Sequence, residues 1–222
     1  QNNCIWIVDE KDSSKLIEKF KSEKLTLNSF DDIARKKAKP VLMHKNEMLC
    51  FSNKIECFRG DPLNVFSRYQ TLIKKFRPTN VIRITGDCPL IYSPLINELI
   101  DVMNNDDTLH YASNTIKRTY PHGFDIEIFK SNVILDKKDP SELDKEHVTP
   151  FIYESGFYKT FSFESKDNFS DLRITLDTFK DYLLIDKIIQ TWVLESEGNN
   201  PFDILDKRII YRMINNYSEV KK

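Results

Sequence analysis

Val81-Ile82-Arg83-Ile84-Thr85-Gly86-Asp87-Cys88-Pro89-Leu90 decides the reading of this chain. Apolar, β-branched residues run into a Gly-Asp pair and then a proline able to open a helix. That is the pattern of a buried strand delivering a carboxylate to a crevice. Far downstream, Arg173-Ile174-Thr175-Leu176-Asp177-Thr178 repeats Arg-Ile-Thr-x-Asp and again passes into a helical pattern. Two carboxylates at the carboxyl ends of two strands stand where open α/β sheets bind ligands.

Upstream of Val81, Ile55-Glu56-Cys57-Phe58 reads as a short strand and Arg59-Gly60 as a turn. Asp61-Pro62 reads as a cap followed by proline at the first helical position. Val65, Phe66, Tyr69, Leu72, Ile73 and Phe76 then recur at helical spacing, and Arg77-Pro78 ends the helix. Strand, helix, strand in this order predicts a crossover unit and a parallel sheet flanked by helices, an α/β class. Cys4 to Val8 reads as a further strand, with Asp12-Ser13-Ser14 capping a helix through Leu16, Ile17 and Phe20. The basic run Arg35 to Lys39 reads mainly as a solvated helix face.

Downstream, Ser93-Pro94 starts a helix carrying Leu95, Ile96, Leu99, Ile100 and Met103, and Leu109 to Ser113 is a strand. Phe124 to Phe129 alternates apolar and acidic residues as a half-exposed strand would. The polar loop Thr119-Tyr120-Pro121-His122-Gly123 separates the last two. Phe157 to Phe163 reads as an antiparallel or edge strand, and Thr178 to Asp181 as a capping box before a strong helix through Trp192 and Val193. Pro201 opens a last helix.

The 222 residues and 40% hydrophobic content suit one large domain with a real core. Thirty-three basic against 34 acidic residues give a net charge of −1, so no overall basic field draws in nucleic acid. No apolar run reaches membrane-spanning length. The four cysteines form no Cys-x-x-Cys pair, which suggests thiols of a reducing, cytoplasmic compartment. A start at Gln1 in place of methionine reads as processed or cut.

Asp87 and Asp177 are the first candidates for chemistry, because hard oxygen ligands at two strand ends suit Mg²⁺ against a nucleotide triphosphate. Each can equally cap the helix after it. Arg59, Arg68 and Arg83 offer planar forks of donors for phosphate or a carboxylate. Arg83, inside a strand pattern, must find an anion or point into the crevice. His122, Asp125 and Glu127 surround a glycine loop and suit sugar hydroxyls, although strand alternation explains the two acids as well. Glu146-His147 reads as a base or binding pair, or as a structural histidine at a helix start. No spacing suits zinc.

Assembled, these residues resemble the cytidylyltransferases of the spore-coat-polysaccharide type, relatives of the acylneuraminate and KDO cytidylyltransferases. The similar text is Phe58-Arg59-Gly60 with Arg68-Tyr69, Arg83 to Ile91, Ser113-Asn114, Arg118 to Phe129, Glu146 to Pro150, and Leu172 to Thr178 with Asp181. The motifs occur in the family's order over residues 55 to about 192.

The resemblance implies a nucleotide-diphospho-sugar-transferase fold, with 55–222 the cytidylyltransferase-like domain and residues 1–54 a divergent or incomplete N-terminal part of it. It implies Mg²⁺, CTP, and transfer of CMP to an acidic sugar or related small acceptor with release of pyrophosphate, for surface glycan biosynthesis. Asp87 and Asp177 match the metal positions, with Arg83 beside them as a catalytic candidate. Arg59, Arg68, Tyr120, His122, Asp125, Glu127 and His147 match the substrate side. Relatives are often homodimers, and Phe157 to Phe163 offers an edge for pairing, though it fits equally inside one subunit. The family's glycine-containing phosphate loop has only a faint echo, Ala34 to Leu42, without its Gly and Ser. The alternative class is a non-catalytic nucleotide- or sugar-binding domain of a larger assembly.

Overall fold

The structure, a computed structural model, describes residues 4–9, 38–43, 56–61 and 63–195. Among them one sheet is built from β1 (Cys4–Asp9), β2 (Ala38–Met43), β3 (Glu56–Cys57), β4 (Asn80–Thr85), β5 (Tyr111–Ser113), β6 (Glu127–Lys130) and β7 (Thr160–Ser162). Its order is β3-β2-β1-β4-β6-β5-β7. The first four strands are parallel. β6 runs antiparallel to both β4 and β5, and β7 lies parallel to β5 at the edge. The expected α/β class therefore holds, with an antiparallel insertion beside the central strand.

The helices are α1 (Val65–Phe76), α2 (Ser93–Asn105), α3 (Ser131–Asp136), α4 (Glu142–His147), α5 (Pro150–Glu154) and α6 (Phe179–Glu195). They cover the sheet on both faces, and strand alternation divides the core in two. Ile82 and Ile84 of β4, with Ala112, Ile126 and Ile128, pack against Leu95, Ile96 and Leu99 of α2 and Ile185 of α6. Val81, Tyr111 and Phe129 point the other way, onto Phe66, Tyr69 and Leu72 of α1, Val133 of α3 and Ile152 of α5. Each such side chain, fully buried, stabilises the fold by about 1.5–3 kcal/mol relative to exposure. Arg83 shares the parity of Val81, so it enters the second layer.

Several boundaries differ from the sequence expectation. α1 is capped by Asn64, whose side chain accepts from the Ser67 amide at 2.9 Å. The expected cap, Asp61, instead closes its own turn by accepting from Leu63 N at 2.8 Å. Of the faint phosphate-loop echo Ala34 to Leu42, the described part from Ala38 lies in β2, and Lys39 is in that strand rather than on a helix face. β6 is buried rather than half-exposed, because it sits between β4 and β5 with helices on both sides. The stretch around Phe161 forms only the three-residue edge strand β7. The helix expected after Asp12, residues 25–37, the last helix from Pro201, and the side chains of Trp192 and Val193 lie outside the described residues.

The loop between β5 and β6 is held by fully buried Asn114. Its amide donates to Phe124 O at 2.6 Å, and its Oδ1 accepts from Ile126 N at 2.9 Å. His122 then pairs with the second Arg-Ile-Thr-x-Asp copy: His122 N donates to Leu172 O, and Ile174 N to His122 O. Two residues on, Leu176 N donates to Asp87 O at 2.8 Å. One extended segment thus laces the glycine loop to the turn after β4.

Gly123 makes that lacing possible. Its φ is +110°, and a Cβ there would lie 2.8 Å from the backbone carbon of Ile174. Gly123→Ala is expected to destabilise the protein by about 1–3 kcal/mol, from left-handed strain plus the collision. Urea unfolding checks this, and an unchanged midpoint would mean that the loop approaches Ile174 less closely.

Candidate active site

A cavity of about 440 Å³ opens at the carboxyl end of β4, walled by Arg83, Thr85, Arg118, Asp125, Glu127 and Thr149. Ile116, Leu143 and Tyr153 form part of its rim, with His147 and Glu154. The antiparallel β6 presents its amino end here, beside the carboxyl end of β4. Candidates from distant parts of the chain are therefore gathered at one end of two neighbouring interior strands.

Arg83 and Glu127 are direct cross-strand partners, each about nine-tenths buried, and their side chains form an ion pair. The second carboxylate oxygen of Glu127 accepts from Tyr111 Oη at 2.7 Å and from the Thr149 hydroxyl. Burial, then Glu127, raises the Tyr111 phenol well above its ordinary value, so the group stays a donor. Arg83 thus finds the anionic partner that was one of its two expected outcomes, and that partner is Glu127. Both oxygens of Glu127 are already engaged within the protein, while the residue lines the cavity.

Beside this pair, Arg118 makes a two-point contact with Asp125, Nη1 to Oδ1 at 2.6 Å and Nη2 to Oδ2 at 2.9 Å. Cys88 lies between Asp87 and Asp125 in a buried position, and burial followed by these two carboxylates pushes its thiol far up. Its sulfur lies 3.3 Å from the Thr85 hydroxyl. It is a protonated spacer, not a nucleophile. His122 is exposed, and its pKa falls below 6.5 through partial burial and the Arg118 charge, against the opposing pull of Asp125. The imidazole is therefore neutral at pH 7. Its stabilising contribution is complete above 6.5 and is lost as pH falls through the folded value.

Asp87 is half-buried in the turn after β4, and Asp177 is exposed at the end of the laced segment. Neither caps a helix. α2 begins at Ser93 with Tyr92 as its cap residue, and α6 is entered through a reciprocal pair between Thr178 and Asp181. Asp181 titrates low: burial opposes the shift, but Thr178, the Asp177 amide and Arg173 outweigh it. Arg173 bridges Asp177 and Asp181.

No cluster of three or more His, Cys, Asp or Glu side chains suited to a metal occurs among the described residues. Asp87 and Asp177 stand on segments joined by the bond from Leu176 N to Asp87 O, and carboxylate oxygens are the ligand type that a hard divalent cation takes beside phosphate and water. Displacing Arg173 from Asp177 costs at most about 1 kcal/mol, because the pair is half-exposed.

The remaining candidates divide. Arg59 is exposed just beyond β3, and the Arg68 stem lies over Gly60; neither lines the cavity. Tyr120 is only 2% exposed and stacks on Phe163 with ring centroids 5.9 Å apart. It is a core residue, which corrects its expected place among groups that meet ligand. His147 lines the cavity but closes α4 rather than starting a helix. Val148 follows it at φ +71°, a strained conformation for a β-branched residue. Arg118, Thr149 and Tyr153 were not singled out as site residues. For Arg118 the signal was its place at the far end of the loop from Asp125.

Removing one partner of the buried pair leaves an uncompensated charge. Glu127→Ala is expected to cost about 3–5 kcal/mol, whereas the double change Arg83→Met with Glu127→Leu recovers most of that loss. Chemical denaturation of the two variants measures it; a double variant no more stable than Glu127→Ala would deny the coupling. Arg118→Gln is expected to move the His122 titration up toward 6.5, by removing the cation and freeing Asp125. NMR titration reads the shift, and a downward move would contradict the geometry.

A family model described as Cytidylyltransferase matches residues 44–221. A spore coat polysaccharide biosynthesis protein, SpsF, of Bacillus subtilis is 29% identical over 150 residues, 65% of this chain and 61% of the relative. An uncharacterized protein of Methanocaldococcus jannaschii is 27% identical over 173 residues, 75% of this chain and 70% of the relative. The chain thus spans less than two thirds of the Bacillus protein. A cytidylyltransferase structure from Leptospira borgpetersenii superposes with a TM-score of 0.76 at 21% identity, covering 98% of this chain and 96% of that one. The fold is shared with that structure, and the matched family model places the chain in the cytidylyltransferase family of nucleotidyltransferases.

Proposed function

We propose that the chain transfers CMP from CTP to a hydroxyl of a sugar-like acceptor in the cytoplasm, supplying an activated sugar for a surface glycan. The family supports nucleotidyl transfer from CTP, and likeness to the spore coat polysaccharide protein supports the glycan setting. The observation that carries the site is the hydrogen bond from Leu176 N to Asp87 O, which draws the two Arg-Ile-Thr-x-Asp copies together. Asp87 and Asp177 would hold Mg²⁺, which neutralises phosphate charge and favours attack at phosphorus.

The acceptor oxygen bonds to the α-phosphorus, the bond to the bridging oxygen breaks, pyrophosphate leaves, and the hydroxyl proton passes to solvent. The chain's own part is positioning. Thr149 and Glu127 fix the cavity floor, Arg118 and Asp125 set one wall, and neutral His122 stands beside that wall as a hydrogen-bonding group. Such pre-placed contacts act by removing the entropy cost of bringing two substrates together.

Release of pyrophosphate from CTP and Mg²⁺ with a panel of sugars is the test. Asp87→Asn is expected to lower turnover at least a hundredfold while the unfolding midpoint stays within the range of a surface change. Unaltered turnover would remove Asp87 from the site. CTP binding without turnover by any acceptor would favour a binding domain instead.

A further inference from the structure

Thr149 stands at the N-cap of α5, where a threonine hydroxyl ordinarily accepts from the first amides of the helix. It makes no such bond. Its hydroxyl donates instead to Glu127, 22 residues away, and the residue is buried. The start of α5 forgoes a local stabiliser, and a distant carboxylate gains a donor.

The backbone before Thr149 is bent to make this reach. Thr149 N donates to His147 O at 2.8 Å, across Val148 at φ +71° and ψ −48°. That is a γ-turn of the rare kind with positive φ, disfavoured most of all for a β-branched residue. Two anchors hold it: Val148 N donates to Asp144 O at 2.8 Å, and the Val148 side chain is fully buried in the second core layer. Such strain persists only where its surroundings over-determine it, and it gathers at functional sites. The residues on either side, His147 and Thr149, both line the cavity.

The group served by this turn is Arg83. One oxygen of Glu127 is held by Tyr111 and Thr149, which leaves the other for Arg83 Nη1. A guanidinium is a planar fork, so a fixed partner at one nitrogen sets the directions of its other N–H groups. We propose that Thr149 is a positioning residue: the γ-turn at Val148 places its hydroxyl on Glu127, and Glu127 so held orients Arg83 in the cavity. The inference rests on the transferase reading only for its effect on turnover.

Three variants of the full chain test it. Thr149→Val keeps the shape and removes the hydroxyl, and Thr149→Ser keeps the hydroxyl. Ser131→Ala removes a buried bond to Pro78 O at 2.6 Å outside the cavity, as a control for lost stability. Exchange of the Arg83 Nε–H proton with solvent, followed by NMR, is expected to quicken at least tenfold in Thr149→Val and to stay within threefold in the other two. In pyrophosphate release from CTP and Mg²⁺ with a panel of sugars, kcat/KM is expected to fall at least tenfold in Thr149→Val and to return within threefold in Thr149→Ser. Unchanged exchange in Thr149→Val overturns the proposal, as does an effect that serine fails to rescue or that Ser131→Ala reproduces. Quickened exchange with unaltered turnover overturns the role in the reaction. If no preparation releases pyrophosphate, the transferase reading fails, and the exchange rates still decide whether Thr149 orients Arg83.

Discussion

The buried contact between Arg83 and Glu127 is the constraint around which the site is arranged. It spans the joint where a parallel half-sheet meets its antiparallel insertion, with the two residues in direct register across β4 and β6. An ion pair so enclosed gains little net stability over an apolar pair of similar volume, but it tolerates no missing partner. Tyr111 from β5 and Thr149 from the turn after α4 converge on the same carboxylate. One glutamate therefore ties two strands beside its own and a helical turn into one cavity floor. Val148 holds its strained backbone next to that convergence, with its amide donating to Asp144 O at 2.8 Å.

The fold could be read from sequence wherever a single period dominates. β4, α1 and α2 stand close to where their apolar spacing put them, because helical and strand periods are strong over such lengths. Reading failed where local chemistry had two outlets. Asp61-Pro62 has the chemistry of a helix start, yet Asn64 had a better placed side chain and Asp61 closed a turn instead. The alternation in Phe124 to Phe129 looked half-solvated because Asp125 and Glu127 are acids. Their arginine partners lie on other segments, and periodicity cannot see a distant partner.

The site divides in the same way. The repeated Arg-Ile-Thr-x-Asp text pointed to two related segments, and the structure laces them through Leu176. Tyr120 was misjudged because the Pro and Gly around it mark a loop, whereas Asn114 and the Phe163 stack draw its ring into the core. Arg118 and Asp125 sit at two ends of that loop, brought together by the turn at Gly123. Pairings made by loop closure depend on a backbone conformation that sequence spacing does not encode.

Cys88 shows how the two halves coexist. Asp87 belongs to the turn after β4, Asp125 to the cavity wall, and both raise the buried thiol between them. Arg118 compensates Asp125, and the small neutral sulfur keeps Asp87 apart from that pair. Asp87 stands outside that pair, while the neighbouring cavity keeps its two arginines paired. A larger or charged group at position 88 would press both carboxylates at once, because the backbone on one side is bound to Leu176 and on the other to Asn114 through Ile126. Electrostatic separation and backbone lacing thus act on the same few residues: the segments cannot drift apart, and their charges are not shared.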